Sequence, residues 1–276
     1  METNNIYIPG DIWLYYKLYT GPKMADKILI SYLLPIIDRL YESSMIDLFF
    51  FIRYNDPDFH LRIRFKTKQL DKIVQVLNPI WKQLVREQKI SRVLIDSYIQ
   101  EESRYEKENM EIVESIFFID SYSCLQMLRY LHLNKEDLSN TRWLLSLKII
   151  DRMLNTLGYN KNQKFKFISS LAKEFREEFL FTNHKFTKQI NEKYRSYRSI
   201  INYIMEDDSS QVTLIINERA KQLLPLFQGL KINNNNAQRV IGSIIHMFMN
   251  RWFRSQNRLY EMMIYSFMEK YYKQPF

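Results

Sequence analysis

The sequence predicts an α+β protein in two parts, and three observations carry that prediction. Residues 1–102 alternate strand-like and helix-like runs, whereas residues 103–276 show helical spacing almost throughout. Hydrophobic residues make up 46% and aromatic residues 15% of the 276 positions, enough for a sizeable core. Glycine is scarce, at 5 residues, which suits long regular elements and disfavours glycine-rich phosphate loops.

The elements follow in order. Ile12 to Tyr19 (IWLYYKLY) has strand composition. Met24 to Tyr41 carries apolar residues at helical spacing: Ile28, Leu29, Tyr32, Leu33, Ile36, Ile37 and Leu40. Ile46 to Tyr54 and Phe59 to Phe65 are two strands around the turn residues Asn55-Asp56-Pro57-Asp58. Leu70 to Gln88 returns to helical spacing, and Arg92 to Gln100 to strand. The resulting β-α-β-β-α-β order is that of a ferredoxin-like split βαβ sheet, with the first and third strands at its centre. Seven helices are expected after a polar connector at 102–109: Met110 to Leu133, Lys135 to Leu157, Asn162 to Phe181, Phe186 to Met205, Ser210 to Phe227, Ala237 to Phe253 and Arg254 to Lys273. The sheet subdomain (1–102) and the helical subdomain (103–276) are expected to act as one functional domain.

The hairpin FFFIRYNDPDFHLRIRF, residues 49–65, is the least ordinary stretch. Successive strand side chains point to opposite faces, so Leu61, Ile63 and Phe65 share one face and His60, Arg62 and Arg64 the other. The neighbouring run Phe49 to Tyr54 is apolar on both faces, which predicts a sheet covered on both sides. Arginines there need an anion or a wet cleft, and a guanidinium fork suits carboxylate or phosphate.

Other classes drop out. No GxGxxG, no GxxxxGK[ST] and no HExxH occurs. The one cysteine, Cys124, permits neither an internal disulfide nor a cysteine-rich zinc site. No metal and no cofactor is expected. The polar start METNNIYIPGDIW lacks a signal-peptide pattern and no apolar run spans a bilayer, so the expectation is a cytoplasmic protein without a membrane span. The net charge of +9 admits an anionic partner without naming one. The basic run Lys185 to Arg198, with Tyr194 and Tyr197 interleaved, reads as a solvated helix face, since no RNA-binding motif accompanies it.

Among the four histidines, His132 reads as structural and His184 as surface. His246 differs: Asn250 follows it by one helical turn, and although buried histidines of this kind are more often hydrogen-bonded structural residues, a neutral histidine beside a cationic pocket suits proton transfer. Arg104, in Ser103-Arg104-Tyr105, is placed by the connector at the edge or mouth of the sheet, and taken alone it reads more often as a surface arginine.

Taken together, Trp13-x-Tyr15-x-Lys17-Leu18-Tyr19, the hairpin block, YIQEESRYEKENMEIVESIFFIDS and SIIHMFMNRWF resemble the thiopeptide-type bacteriocin biosynthesis domain family. That family includes the C-terminal glutamate-elimination domain of class I lantibiotic dehydratases. The resemblance follows the same order over most of the chain, while the helices between Leu133 and Asn233 add little to it. It implies a lyase that β-eliminates glutamate from glutamylated Ser or Thr of a ribosomal precursor peptide, leaving dehydroalanine or dehydrobutyrine. It also implies a stand-alone elimination protein, partnered by a separate glutamylating dehydratase protein that uses glutamyl-tRNA; a homodimer is a further expectation. By the same resemblance Arg62, Arg104 and His246 are catalytic, with Arg53, Arg64, Tyr105 and Asn250 binding the glutamyl group. Many relatives have Tyr-Gly-Gly after the connector arginine. Here Tyr105-Glu106-Lys107 stands instead, and the connector is expected to fold differently. Two other readings are a same-fold ring-forming enzyme of thiopeptide assembly (pyridine synthase-like) and a non-catalytic module binding precursor peptide or RNA.

Overall fold

The structure, a computed structural model, describes residues 5–135, 138–181, 184–233 and 235–274; for residues 138–140 and 184–186 it describes the backbone alone. The residues fall into two compact units, 1–130 with 250–255, and 131–249 with 256–276. The expected boundary at 102/103 differs from this division, because the helix Met110–Leu133 lies almost wholly in the first unit.

Among the described residues six strands form, β1 (Ile6–Tyr7), β2 (Trp13–Tyr19), β3 (Leu48–Asn55), β4 (Phe59–Lys66), β5 (Arg92–Ile95) and β6 (Tyr98–Ile99). The main sheet is antiparallel in the order β3-β4-β2-β5, so the first and third strands of the predicted pattern are central. The α+β, ferredoxin-like prediction therefore holds. The expected strand Arg92 to Gln100 is divided. β5 pairs with β2, then Asp96 accepts a hydrogen bond from its neighbour Ser97 N (2.8 Å) and turns the chain. β6 pairs instead with β1, a short strand the sequence did not reveal.

Between β2 and β3 run α1 (Pro22–Ile28), a π turn (Leu29–Leu33) and α2 (Leu34–Glu42). Pro22 starts the first helix, where its missing N–H is harmless; Pro35 cannot donate to the preceding turn, and the wider π turn lies just ahead of it. α3 (Leu70–Arg86) buries Ile73, Leu77, Trp81 and Leu84, and Trp81 meets Tyr16 of β2 edge-on. α3 therefore covers the sheet face of Tyr16, Leu61, Ile63 and Phe65.

The connector holds α4 (Glu102–Tyr105) and a 3-10 turn, and α5 (Met110–Leu133) follows. α5 runs along edge strand β3, whose Phe51 N–H donates to Ser121 Oγ at 3.2 Å. An otherwise open strand edge is thereby closed. Phe118 packs on Phe49 and Phe117 on Phe50, one from each face of β3.

The second unit contains α6 (Leu138–Thr156), α7 (Lys161–Glu178), α8 (His184–Glu206), α9 (Gln211–Gly229), most of α10 (Ala237–Trp252) and α11 (Asn257–Lys273). Sequence signals mark the starts: Asn160 and Gln163 form a capping box, and Ser210 caps α9. The core includes Trp143, Tyr194 and Phe267 in edge-on contact, and Phe175 against Tyr265. Asp151 is held by Lys164 and Tyr272, each at 2.6 Å.

Candidate functional site

Cross-strand register builds one face of the sheet. Tyr15 and Phe50 flank Arg64, Lys17 and Ile52 flank Arg62, and Tyr19 and Tyr54 flank His60. Arg62 and Arg64 thus share a face with His60, as the alternation predicts.

Arg64 is buried, with its guanidinium 4.2 Å from the Tyr15 ring centre, 4.9 Å from Tyr98 and 5.1 Å from Phe50. Burial pushes its pKa down, and its Nε has no hydrogen-bond partner among the described residues. Ring quadrupoles, worth about 2 kcal/mol for a desolvated cation, hold it in place of a carboxylate.

Arg62 is half-buried and lies 3.5 Å above the Tyr54 ring centre. Its Nε–H donates to His60 Nε2 at 3.0 Å. His60 Nδ1 lies 2.8 Å from the Asp58 carbonyl, which can only accept, so Nδ1 carries the proton. The bond from Arg62 needs a lone pair on Nε2, so this geometry calls for a neutral imidazole. Burial pushes its pKa down, helped by the charges of Arg62 and Lys17 and opposed by the Asp58 bond. Arg62 forms no salt bridge with a described residue. The nearby Asp96 is bound by Lys17.

Arg104 sits on α4, its Nε 3.0 Å from Glu101. Glu101 also acts electrostatically on Arg64, so the connector and the sheet face share a field. Tyr105 is fully buried, edge-on to Phe117. Burial and Glu101 raise its pKa, and Arg104 opposes them. Glu106 adopts φ 67° and ψ 142°, a region that glycine enters readily and other residues rarely.

Arg53 departs from the prediction. The three residues between Asn55 and Phe59 set the register that pairs Arg53 with Leu61, on the helix-covered face away from Arg62 and Arg64. There Nη2 binds Asp26 Oδ1 at 2.7 Å and Nε donates to the Arg251 carbonyl at 2.8 Å. Arg254 takes the other oxygen of Asp26 at 2.5 Å. Arg53 is therefore a buried structural tie, not a lining residue of the Arg62 face. Arg251 is also buried, its Nε on Ser121 Oγ at 3.0 Å and its pKa pushed down to about 10 by burial.

His246 lies on α10 in the second unit, 22% exposed. Its Nδ1 is 2.8 Å from Oε1 of Glu261, a fully buried carboxylate on α11. Tyr265, one turn on, donates to Oε2 at 3.3 Å. A carboxylate on Nδ1 fixes the orientation of the ring. Glu178 nearby is paired with Arg258, which lowers its pKa, with a smaller contribution from His246. Asn250 lies one turn beyond His246 and is half-buried. His132 is exposed in the last turn of α5, and the side chain of His184 lies outside the described residues.

Sequence reasoning missed Glu261, Asp26 and the hydrogen bond between His60 and Arg62. The first two meet their partners 15 and 27 or more residues away and have no local signature. The His60 contact was visible, since residues two apart in a strand share a face. Among the described residues no cluster of His, Cys, Asp or Glu suits a metal, and no helix is long and apolar enough to cross a membrane.

The family described as lantibiotic biosynthesis dehydratase C-term matches residues 13–272. The nisin biosynthesis protein NisB of Lactococcus lactis subsp. lactis is 27% identical over 248 residues, 88% of this chain and 24% of its own length. The subtilin biosynthesis protein SpaB of Bacillus subtilis is 26% identical over 267 residues, 93% of this chain and 25% of its own. The chain therefore spans about a quarter of these relatives. The fold recurs in the tRNA-dependent lantibiotic dehydratase MibB from Microbispora (TM-score 0.69, 19% identity, 94% of this chain and 28% of that one). It recurs in TsrL (0.62, 12%, 94% of each) and in the pyridine synthase TbtD from thiomuracin biosynthesis (0.61, 10%, 94% and 97%).

Proposed function

Since the chain belongs to the lantibiotic biosynthesis dehydratase C-terminal family, we propose that it eliminates glutamate from glutamylated Ser or Thr of a ribosomal precursor peptide. One observation carries the reading: Arg62 is a half-exposed guanidinium held by neutral His60 and the Tyr54 ring, with no described carboxylate bound to it. A cation presented that way suits the free carboxylate of a glutamyl ester.

The reaction needs a base for the Cα proton, support for the enolate and a path for the leaving carboxylate. The Cα–H electrons form the Cα=Cβ bond, the Cβ–O bond breaks, and glutamate departs with that oxygen. In this reading Arg62 grips the glutamyl carboxylate, and Arg64 adds fixed positive potential beside it. Arg104 acts on developing negative charge. His246, oriented by Glu261, moves the proton, and Asn250 and Tyr105 position these groups. Glutamylation, which uses glutamyl-tRNA in this reading, is a distinct activity from the elimination proposed for these residues.

The ring-forming alternative draws on a structural neighbour at 10% identity, a likeness that carries the fold alone. The arginine face favours elimination, because a glutamate-free reaction has less use for a carboxylate grip. The test is mass spectrometry of a synthetic peptide with a glutamyl ester on serine, incubated with the purified protein. Release of glutamate with dehydroalanine formed is the expected result; an intact ester, with folded protein and a validated leader, refutes the reading.

A further inference from the structure

We infer that His60 is a positioning residue: a neutral hydrogen-bond acceptor that aims the Arg62 guanidinium at its anion. The inference rests on the elimination reading for what Arg62 grips, and on geometry alone for how Arg62 is held.

The ring is clamped before it meets Arg62. His60 is fully buried, stacked on Tyr19 with centroids 4.7 Å apart, and anchored through Nδ1–H to the Asp58 carbonyl. That bond places the lone pair on Nε2, where the Arg62 Nε–H arrives at 3.0 Å. With Nε engaged by His60 and the guanidinium 3.5 Å from the Tyr54 ring centre, the edge left for a ligand is the pair of terminal nitrogens. That pair is one of the two forks able to take a carboxylate bidentately.

A histidine suits this task better than an acid. A carboxylate at position 60 would aim the arginine equally well, but it would cancel the charge and compete with the ligand. A neutral imidazole accepts the hydrogen bond and leaves the cation whole. The surroundings favour the neutral ring: burial under Tyr19 and Tyr54 opposes protonation most, then Arg62 on β4 and Lys17 on β2, while the Asp58 carbonyl bond and, less, Asp56 in the turn favour it.

The experiment has two arms. In ligand-free protein, nitrogen-15 NMR of His60 at pH 7 should show a neutral ring protonated on Nδ1; a charged ring, or one protonated on Nε2, overturns the inference. In turnover of the glutamyl-serine peptide, His60→Phe keeps the aromatic stack and should raise KM about tenfold, the value of one such hydrogen bond. His60→Gln restores an acceptor and should recover most of that loss, and it serves if the Phe variant folds poorly. In an Arg62→Ala background His60→Phe should change nothing further, because both act through one group. An additive loss in the double variant would make His60 a general packing residue. If wild-type protein releases no glutamate, the elimination reading falls, and the NMR arm still judges the His60–Arg62 bond.

Discussion

Replacing Arg62 by lysine keeps the charge and removes the fork. Three contacts change: the 3.0 Å bond from Nε to His60, the guanidinium contact 3.5 Å from the Tyr54 ring centre, and one of two bonds to the proposed bidentate carboxylate. The ammonium retains a single-point contact and part of the ring attraction. Each lost charge-assisted bond is worth about 1.5–3 kcal/mol, and partial recovery by the ammonium leaves a net loss of about 2–4 kcal/mol. At 1.36 kcal/mol per decade, that is a fall of about 30- to 900-fold in kcat/KM. Arg62 is half-buried and joins no salt bridge among the described residues, so the melting temperature should hold within a few degrees. The assay is glutamate release from a glutamyl-serine peptide, followed by mass spectrometry beside a melting curve. A variant within threefold of wild type would refute the bidentate grip.

Other perturbations separate chemistry from packing. His246→Ala should leave the glutamyl ester in place, slowing release by about 10²–10⁴-fold as for a lost general acid or base; a wild-type rate would make the histidine structural. Asp26→Asn strips the shared carboxylate from Arg53 and Arg254 and should cost about 3–5 kcal/mol in denaturant unfolding. A loss below about 1 kcal/mol would show that the arginines need no counter-ion there. Glu106→Gly relieves a positive φ and should stabilise by about 1 kcal/mol, raising the melting point about 2–4 °C; a lower melting point would mean that Glu106 contacts outweigh the strain. Burial and the charges of Arg62 and Lys17 hold folded His60 below its ordinary pKa, so the unfolded chain binds the proton first as acid is added. Stability contributed by this histidine is present above about pH 6.5 and falls as pH drops toward the folded value. His60→Phe should flatten that slope, and an unchanged slope would refute the assignment.

Much of the sheet was legible because period-2 alternation and turn residues are local. HLRIRF states its own faces, and the β-α-β-β-α-β order leads to the observed strand order. Arg53 was not assignable that way, since its face depends on the register across the hairpin. The division of Arg92 to Gln100 was hidden for a related reason: Asp96 leaves the ladder to bind Lys17 and turn the chain. The helices of the second unit were found from their spacing. The pairing of His246 with Glu261 depends on how α10 and α11 pack, and no short window encodes that. The connector shows the opposite limit. The family resemblance leads one to expect glycine where Glu106 stands, and the backbone there nevertheless adopts a glycine-like φ.

Arg64 has a consequence for behaviour in salt. Mobile ions shield exposed lysines over about 8 Å at physiological ionic strength, and most of the +9 charge of this chain is open to that shielding. Counter-ions cannot crowd a guanidinium enclosed by Tyr15, Phe50 and Tyr98, and aromatic rings attract its charge without neutralising it. The face around Arg62 should therefore still draw anions in brine that has silenced the general basicity of the surface.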